Sequence, residues 1–282
     1  MSYSVLISTS ELVQLFDDPD LVIVDCRFQT ADTEKGRQDY LAAHIPGAVY
    51  AHVDDDLSSP IVLGVTGRHP LPRVEQVVET FSEWGISAGK QVVAYDDAGG
   101  ALAAGRLWWM LRWLGHDATA VLDGGWGKWQ FEGRSVQSGE EGRARREFFA
   151  QERPELIVNA EDVEAMLNDP TSLVIDARAA ERYRGEIEPI DPVAGHIPGA
   201  ISLPYEENMT PGGTFYLPGE LRARYLGVIG DIQPENITFY CGSGVTAVHN
   251  ILAMKHAGLG EAKLYVGSWS EWIADPERPV TK

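Results

Sequence analysis

Short apolar runs alternate along the chain with stretches of helical periodicity. In the first half, three runs of four or five residues are almost wholly apolar: Leu21 to Asp25, Val92 to Tyr95 and Thr119 to Leu122. Continuous runs of this length are typical of strands buried on both faces of a sheet. The stretch from Arg73 to Trp84 instead has apolar residues three or four positions apart, which predicts an amphipathic helix.

The second half repeats this alternation. Helix-capping patterns also start a helix in each half, at Ser8 and at Asn159. Alternating short strands and helices imply that the protein is α/β, with a parallel sheet flanked by helices on both faces in each half. The elements predicted for the second half are strands at 173–175, 237–240 and 263–266, and helices ending at Leu167 and covering 220–226 and 245–257.

Four sequence blocks occur in both halves in the same order, which indicates a duplicated domain. The pairs are residues 18–27 with 169–178, 44–48 with 196–200, 92–95 with 237–240, and 123–129 with 266–272. A repeat of about 150 residues is far longer than the unit of a solenoid. We therefore predict an N-terminal domain at residues 1–136, a linker at 137–153 and a C-terminal domain at 154–282.

The chain is strongly acidic, with 42 acidic and 23 basic residues and a formal net charge of −19. This charge argues against nucleic acid and anionic membrane surfaces as partners. No apolar run reaches the roughly 18 residues of a membrane span, and no signal-peptide pattern occurs. We therefore expect a cytoplasmic protein.

The most informative segment is the loop from Tyr240 to Ala247, with the sequence Tyr-Cys-Gly-Ser-Gly-Val-Thr-Ala. It places Cys241 at the carboxyl end of a predicted strand, where parallel α/β sheets bind ligands. The glycines permit a tight turn whose N–H groups can form an anion-binding nest, and the following helix adds its positive dipole end. Cysteines at helix N-termini ionise more readily than free cysteine, so Cys241 is a nucleophile candidate. The alternative is a cysteine that only packs in the core.

The first half has no equivalent nucleophile. Cys26 ends an apolar run, so we interpret it as a core residue. Aligning Tyr95 with Tyr240 places Asp96 opposite Cys241. Because an aspartate cannot accept a sulfur atom, the first half is predicted to be catalytically silent.

The repeated His-Ile-Pro-Gly-Ala blocks, the Gly-Ser-Trp-Ser-Glu-Trp segment and the Cys-Gly-Ser-Gly-Val-Thr loop resemble the tandem-domain rhodanese/sulfurtransferase superfamily. The resemblance covers essentially the whole chain, and the loop is similar to that of 3-mercaptopyruvate sulfurtransferases. Thiosulfate sulfurtransferases of the mitochondrial type carry basic residues where this chain has Gly242 and Ser243. The resemblance implies two tandem rhodanese-like domains, of which the first is inactive and the second catalytic.

The resemblance also implies the reaction. Cys241 would take a sulfane sulfur from a small anionic donor as a persulfide and pass it on in a ping-pong cycle. The acceptor would be cyanide or a thiol, which includes the thiol of a thioredoxin-like protein. The expected donor is 3-mercaptopyruvate, with thiosulfate as the alternative, and no metal or organic cofactor is expected.

Substrate-binding residues follow from the same resemblance. Arg182, the second arginine of the block Asp176 to Tyr183, would contact the donor. Arg178 more simply forms a structural ion pair, because Arg27 occupies its place in the silent half. The loop residues that would surround the donor and the persulfide are Gly242, Gly244, Val245 and Thr246.

A proton relay in the family runs from the serine two residues after the cysteine to a histidine. Here these residues would be Ser243 and His44, the histidine of the first His-Ile-Pro-Gly block. The second block has His196 in the equivalent place, so a local structural role explains both histidines as well as a catalytic role explains His44.

One position departs from the animal mercaptopyruvate enzymes, which carry a second substrate arginine after a Glu-Pro pair. Here Glu188-Pro189 is followed by Ile190. Arg68 or His69, in the Gly-Arg-His-Pro turn of the first half, could replace the missing cation.

Two other functions are alternatives, of which the first shares the loop geometry. Cysteine phosphatases of the same fold need an arginine six residues after the cysteine, and this position is Ala247. A non-enzymatic module that carries persulfide or binds a partner would not need the intact Cys-Gly-Ser-Gly-Val-Thr loop.

Overall fold

In the computed structural model, which describes residues 2–282, the apolar runs of the first half form the middle of a parallel sheet. Its strands are β1 (Leu6–Ile7), β2 (Leu21–Asp25), β3 (Ala48–Tyr50), β4 (Gln91–Tyr95) and β5 (Thr119–Leu122). They lie in the order β1-β5-β4-β2-β3. All residues of β2, β4 and β5 are buried, which explains why these strands are continuous apolar runs in the sequence.

Five helices accompany this sheet. They are α1 (Thr9–Gln14), α2 (Lys35–Ala42), α3 (Val74–Glu83), α4 (Ala103–Trp113) and α5 (Gly125–Phe131). The predicted amphipathic helix is α3, which buries Val77 and Phe81.

The second sheet has the same order, β6-β10-β9-β7-β8, and is also parallel. Its strands are β6 (Ile157–Val158), β7 (Leu173–Asp176), β8 (Ile201–Ser202), β9 (Ile237–Tyr240) and β10 (Lys263–Tyr265). The helices are α6 (Ala160–Leu167), α7 (Ala180–Tyr183), α8 (Pro218–Ile229), α9 (Ala247–His256) and α10 (Ser268–Trp272), with 3₁₀ turns at Pro154–Leu156, Tyr205–Asn208 and Pro234–Asn236. Within residues 2–282, no helix is both long and apolar enough to cross a membrane.

The predicted fold class is confirmed: two α/β units each contain a five-stranded parallel sheet of the same order. The edge strands β1, β3, β6 and β8 were not predicted, because two or three residues are too few to show a pattern. Helix α2 was also missed, since its sequence is mostly polar and has no apolar periodicity.

Both predicted helix starts are capping boxes. The backbone N–H of Glu11 donates to Ser8 Oγ (3.2 Å), and the N–H of Ser8 donates to the Glu11 carboxylate (2.9 Å). Asn159 and Asp162 form the same reciprocal pair at α6. These bonds satisfy N–H groups that a helix start otherwise leaves without a partner.

The two compact units are not contiguous in sequence. Unit 1 comprises Met1–Ser59, Pro72–Arg153 and Pro211–Phe215, and unit 2 comprises Pro60–Leu71, Pro154–Thr210 and Tyr216–Lys282. The segment Pro60–Leu71 belongs to unit 2 because its backbone lies on the turn before α10. A Cβ on Gly67 would lie only 2.5 Å from the Gly267 carbonyl oxygen, and Arg68 N donates to Ser270 Oγ (3.0 Å). The domain boundaries predicted from the sequence, 1–136 and 154–282, remain a prediction. The compact units differ from them by placing Pro60–Leu71 in unit 2 and Pro211–Phe215 in unit 1.

Candidate active site

The candidate nucleophile Cys241 directly follows β9, and its loop leads into α9. Only 3% of the residue is exposed. A buried strand and a buried helix therefore hold the thiol at the carboxyl edge of the second sheet, the position expected for ligand binding in a parallel sheet.

The turn at Gly267–Ser270 supports this loop by three hydrogen bonds. Cys241 N donates to Ser268 Oγ (3.1 Å), Trp269 N donates to the Cys241 carbonyl (3.0 Å), and Ser270 N donates to the Gly242 carbonyl (2.9 Å). Ser268 has a φ of 55°, the single positive value of a non-glycine residue in the described chain. The Gly-Ser-Trp segment thus fixes the backbone on both sides of the candidate nucleophile.

Two glycines permit the loop to take this shape. Gly244 has a φ of +75°, and a Cβ there would lie 2.2 Å from the Val266 carbonyl oxygen. At Gly242, a Cβ would lie 2.7 Å from Arg68 Nη2. Gly244 is required by the backbone, whereas Gly242 makes room for a guanidinium beside the cysteine.

Ser243 forms a hydrogen bond with a histidine that is distant in sequence. Its Oγ lies 2.7 Å from Nδ1 of His69. Ser243 is buried, with 6% of its surface exposed. The pair places a titratable ring two residues from the nucleophile, where it can hold or transfer a proton.

Arg182 lies beside the same loop, with its Nη2 3.6 Å from a Cβ built on Gly242. It donates to Glu188 through Nε (3.1 Å) and Nη2 (2.7 Å), and Nη2 also contacts Asp191 (3.2 Å). The other carboxylate oxygen of Asp191 accepts from Arg68 Nη1. Burial lowers the pKa of the Arg68 guanidinium, and the nearby Cys241 side chain opposes this effect. An arginine still stays charged under these conditions, so two cations lie beside the cysteine loop.

A protein-family model described as the rhodanese-like domain matches residues 8–132 and 159–275. The chain belongs to the rhodanese-like family. Each match covers four of the five strands of one parallel sheet, so the predicted superfamily and the duplication are both confirmed.

Relatives extend over the full length of this rhodanese-like protein. It is 43% identical over 281 residues to a probable 3-mercaptopyruvate sulfurtransferase of Pseudomonas aeruginosa, covering 99% of both chains. It is 38% identical to the putative thiosulfate sulfurtransferase SseB of Mycobacterium tuberculosis, covering 98% of this chain and 96% of the relative. The solved structure of the Escherichia coli protein SseA, described as a 3-mercaptopyruvate sulfotransferase, is 33% identical with a TM-score of 0.80, covering 95% of this chain and all of that one.

In the first rhodanese-like unit, a side chain fills the equivalent loop. The Asp96 carboxylate, aligned with Cys241, accepts backbone N–H bonds from Ala98 (3.0 Å), Gly100 (2.7 Å), Leu102 (3.1 Å) and Ala104 (3.3 Å). Burial raises the pKa of Asp96 to about 6, although these amides oppose the shift. The amides of this loop thus converge on one anionic group supplied by the protein itself, which supports the interpretation that the unit is silent.

The predicted relay histidine, His44, lies in unit 1 and has local partners. Its Nδ1 is 2.8 Å from the Tyr40 carbonyl, and its ring stacks on Tyr40 at 4.3 Å. His196 repeats this arrangement with Tyr183, at 2.7 Å and 3.7 Å. The contacts match the structural alternative for both histidines, and the histidine bonded to Ser243 is His69.

Arg178 has the predicted structural contacts. It is buried and donates to Asp176 (2.6 Å) and to the Gly195 carbonyl (2.6 Å). In unit 1, Arg27 makes the same bonds with Asp25 and the Ala43 carbonyl. The pair therefore holds a strand end in each unit.

The remaining predicted loop residues lie where the helix begins. Val245 is 7% exposed, and Thr246 is the N-cap of α9 without a side-chain capping bond. No described side chain therefore caps the first N–H groups of α9. An anion site at a helix N-terminus needs such available N–H groups. No group of three or more His, Cys, Asp or Glu side chains in residues 2–282 could hold a metal ion.

Asp191 was not predicted from the sequence, and His69 was predicted only as a replacement for the missing substrate-binding cation. The Gly-Arg-His-Pro turn indicates a functional role for these residues, because Arg68 and His69 are adjacent basic residues in a strongly acidic chain. Their partners lie 123 and 174 positions away, so no local pattern could identify them.

Proposed function

We propose that the protein is a sulfurtransferase that moves a sulfane sulfur from 3-mercaptopyruvate to a thiol or cyanide through a persulfide on Cys241. The observation that carries the proposal is the buried Cys-Gly-Ser-Gly-Val-Thr loop at the sheet edge, with two guanidinium groups beside it. The names of the full-length relatives support the same reaction.

The first half-reaction breaks the carbon–sulfur bond of the donor. The Cys241 thiolate attacks the donor sulfur, the electron pair of that bond moves to the donor carbon, and this carbon takes a proton to give pyruvate. The loop amides and the N-terminus of α9 stabilise the charge on the thiolate and then on the persulfide. In the second half-reaction the acceptor attacks the outer sulfur and releases the Cys241 thiolate.

Ser243 and His69 are suited to the proton transfer. Their hydrogen bond of 2.7 Å connects the loop to an imidazole, a common proton donor and acceptor in enzymes. We assign them the role of holding and delivering the proton that the departing carbon takes.

Thiosulfate is the second candidate donor. A relative at 38% identity is named a putative thiosulfate sulfurtransferase, which favours this alternative. The loop itself favours mercaptopyruvate, because Gly242 and Ser243 carry no charge where a doubly charged donor would gain from basic side chains.

The test compares both donors on one preparation. We expect kcat/KM to be higher with 3-mercaptopyruvate than with thiosulfate when cyanide is the acceptor. Mass spectrometry of the donor-treated protein should find about 32 Da added at Cys241. Cys241→Ser should abolish both signals, whereas the control Cys26→Ser should leave turnover near wild type. Absence of the added sulfur from Cys241 would reject the proposal, and a higher kcat/KM with thiosulfate would reject only the donor.

A thioredoxin-like protein is the proposed protein acceptor, and the cytoplasm the proposed location. Both cysteines are free thiols, which is usual in a reducing compartment. Persulfide transfer from the loaded enzyme to reduced thioredoxin would test the acceptor.

A further inference from the structure

Two arginine nitrogens, one of Arg68 and one of Arg182, converge beside Cys241. Arg68 bonds Asp191 through Nη1, and its Nη2 donates to no atom of residues 2–282. Arg182 uses Nε and Nη2 for Glu188 and Asp191, and its Nη1 likewise has no partner in the described chain.

The position of Gly242 shows how close these groups are. A Cβ built on this residue would lie 2.7 Å from Arg68 Nη2 and 3.7 Å from Arg182 Nη1. Both nitrogens therefore border the same small volume, next to the residue that follows Cys241. A planar carboxylate offers two oxygens to such a pair of N–H donors.

Asp191 makes this arrangement possible. Two guanidinium groups repel each other, and Asp191 accepts from one with each of its carboxylate oxygens. Its side chain is 3% exposed and that of Arg182 is 15% exposed, so water screens these charges only weakly. The shared carboxylate orients both arginines and leaves one η nitrogen of each available.

We infer that Arg68 is the second donor-binding cation of this enzyme, that it and Arg182 together bind the carboxylate of the donor, and that Asp191 is their positioning residue. The inference rests on the proposed function and deepens it. It also accounts for Ile190: the cation absent from that position comes from the segment Pro60–Leu71.

The Arg68 side chain can be removed without detaching its segment. The backbone N–H of Arg68 holds Ser270, and His69 holds Ser243, so neither bond depends on the guanidinium. The variant Arg68→Ala thus removes the cation. Arg68→Lys keeps the positive charge but lacks the planar guanidinium that can donate two N–H groups to one carboxylate. The matched control is Arg184→Ala in the same unit, whose partner is the exposed Glu186.

The first experiment is steady-state kinetics with 3-mercaptopyruvate and cyanide. We expect Arg68→Ala to raise the donor KM about 10- to 100-fold, the usual effect of losing a hydrogen bond between charged groups. Arg68→Lys should be intermediate, and the KM for cyanide and the Arg184→Ala control should stay near wild type. Asp191→Asn should raise the donor KM in the same direction, and the double variant should add little to Arg68→Ala.

The second experiment measures binding without turnover. Isothermal titration of 3-mercaptopyruvate into Cys241→Ser and into Cys241→Ser/Arg68→Ala should show weaker binding by the same factor. Equal affinities, or an unchanged donor KM in a folded Arg68→Ala that still forms the persulfide, would overturn the inference and leave the proposed function standing. Failure of the wild type to form a persulfide would instead reject the proposed function.

Discussion

At the scale of single residues, the two cysteines are similarly buried but lie in different surroundings. Cys26 is completely buried, and burial together with the charges of Asp25, Asp96 and Asp56 raises its pKa well above the usual thiol range. Cys241 is almost as buried, yet a glycine-rich loop and a helix N-terminus surround it. The two thiols therefore differ in their electrostatic surroundings: carboxylates lie near Cys26, whereas the N-terminal end of α9 follows the Cys241 loop.

The Ser243–His69 bond leads to a prediction about proton transfer. His69→Asn and Ser243→Ala should each lower kcat with 3-mercaptopyruvate by about 10²-fold or more, because each removes one partner of the relay. The double variant should be no slower than the worse single variant. The measurement is kcat at saturating donor across pH.

His44 and His196 are a matched pair of controls for this prediction. Their local contacts are equivalent, so His44→Asn and His196→Asn should have similar, small effects on kcat. A kcat that falls with His44→Asn, but not with His69→Asn, would return the catalytic role to His44.

At the scale of elements, the catalytic loop is shaped by a neighbouring turn as much as by its own sequence. The Ser268 hydroxyl accepts from Cys241 N and donates to the Tyr265 carbonyl (2.9 Å), so it connects the ends of β9 and β10. The repeated tryptophan of this turn, Trp269, is buried in the core of unit 2. Core packing thus fixes the turn, and the turn fixes the loop.

Gly244 provides a prediction at this scale. Gly244→Ala should lower the free energy of unfolding by more than about 1 kcal/mol, because L residues disfavour this φ and the new Cβ would strike the Val266 carbonyl. It should also slow persulfide formation, since the loop must move. Urea denaturation and mass spectrometry measure the two effects.

The control for Gly244 is Gly227, an exposed residue of α8 with open space around its Cβ position. Gly227→Ala should stabilise the protein by about 0.5–1 kcal/mol through helix propensity, with unchanged activity. Equal effects of the two substitutions would contradict the argument.

At the scale of the whole molecule, the two units share a sheet order and differ in what their loops hold. Unit 1 places a buried carboxylate where unit 2 has the cysteine, and four amides bind it. In unit 1 the loop amides thus converge on an anion that the chain itself supplies.

Asp96 predicts a pH dependence of stability. Its pKa rises from 3.8 to about 6 on folding, so the native state holds this proton more tightly than the unfolded state. The contribution of Asp96 to the free energy of unfolding is complete below about pH 4 and is lost as the pH rises through 6. The free energy of unfolding changes by about 3 kcal/mol over this range. The free energy of unfolding of wild type minus that of Asp96→Asn should decrease over this range.

Guanidinium denaturation of both proteins between pH 4 and pH 7 measures this difference. The Asn variant serves as the reference, because it cannot titrate at position 96. A difference that stays constant, or rises with pH, would show that the amides outweigh burial at Asp96.

The sequence by itself determined the three central strands of each sheet, the duplication and the candidate nucleophile, because each is a local pattern: an apolar run, a repeated block, or a glycine-rich turn between strand and helix. Only the tertiary structure decided that Arg68 and His69 join the loop of Cys241. Their partners are 123 and 174 residues away, and the segment that carries them has no periodic pattern. Long-range polar contacts depend on how the chain returns to the sheet edge, and no short stretch of sequence encodes that path.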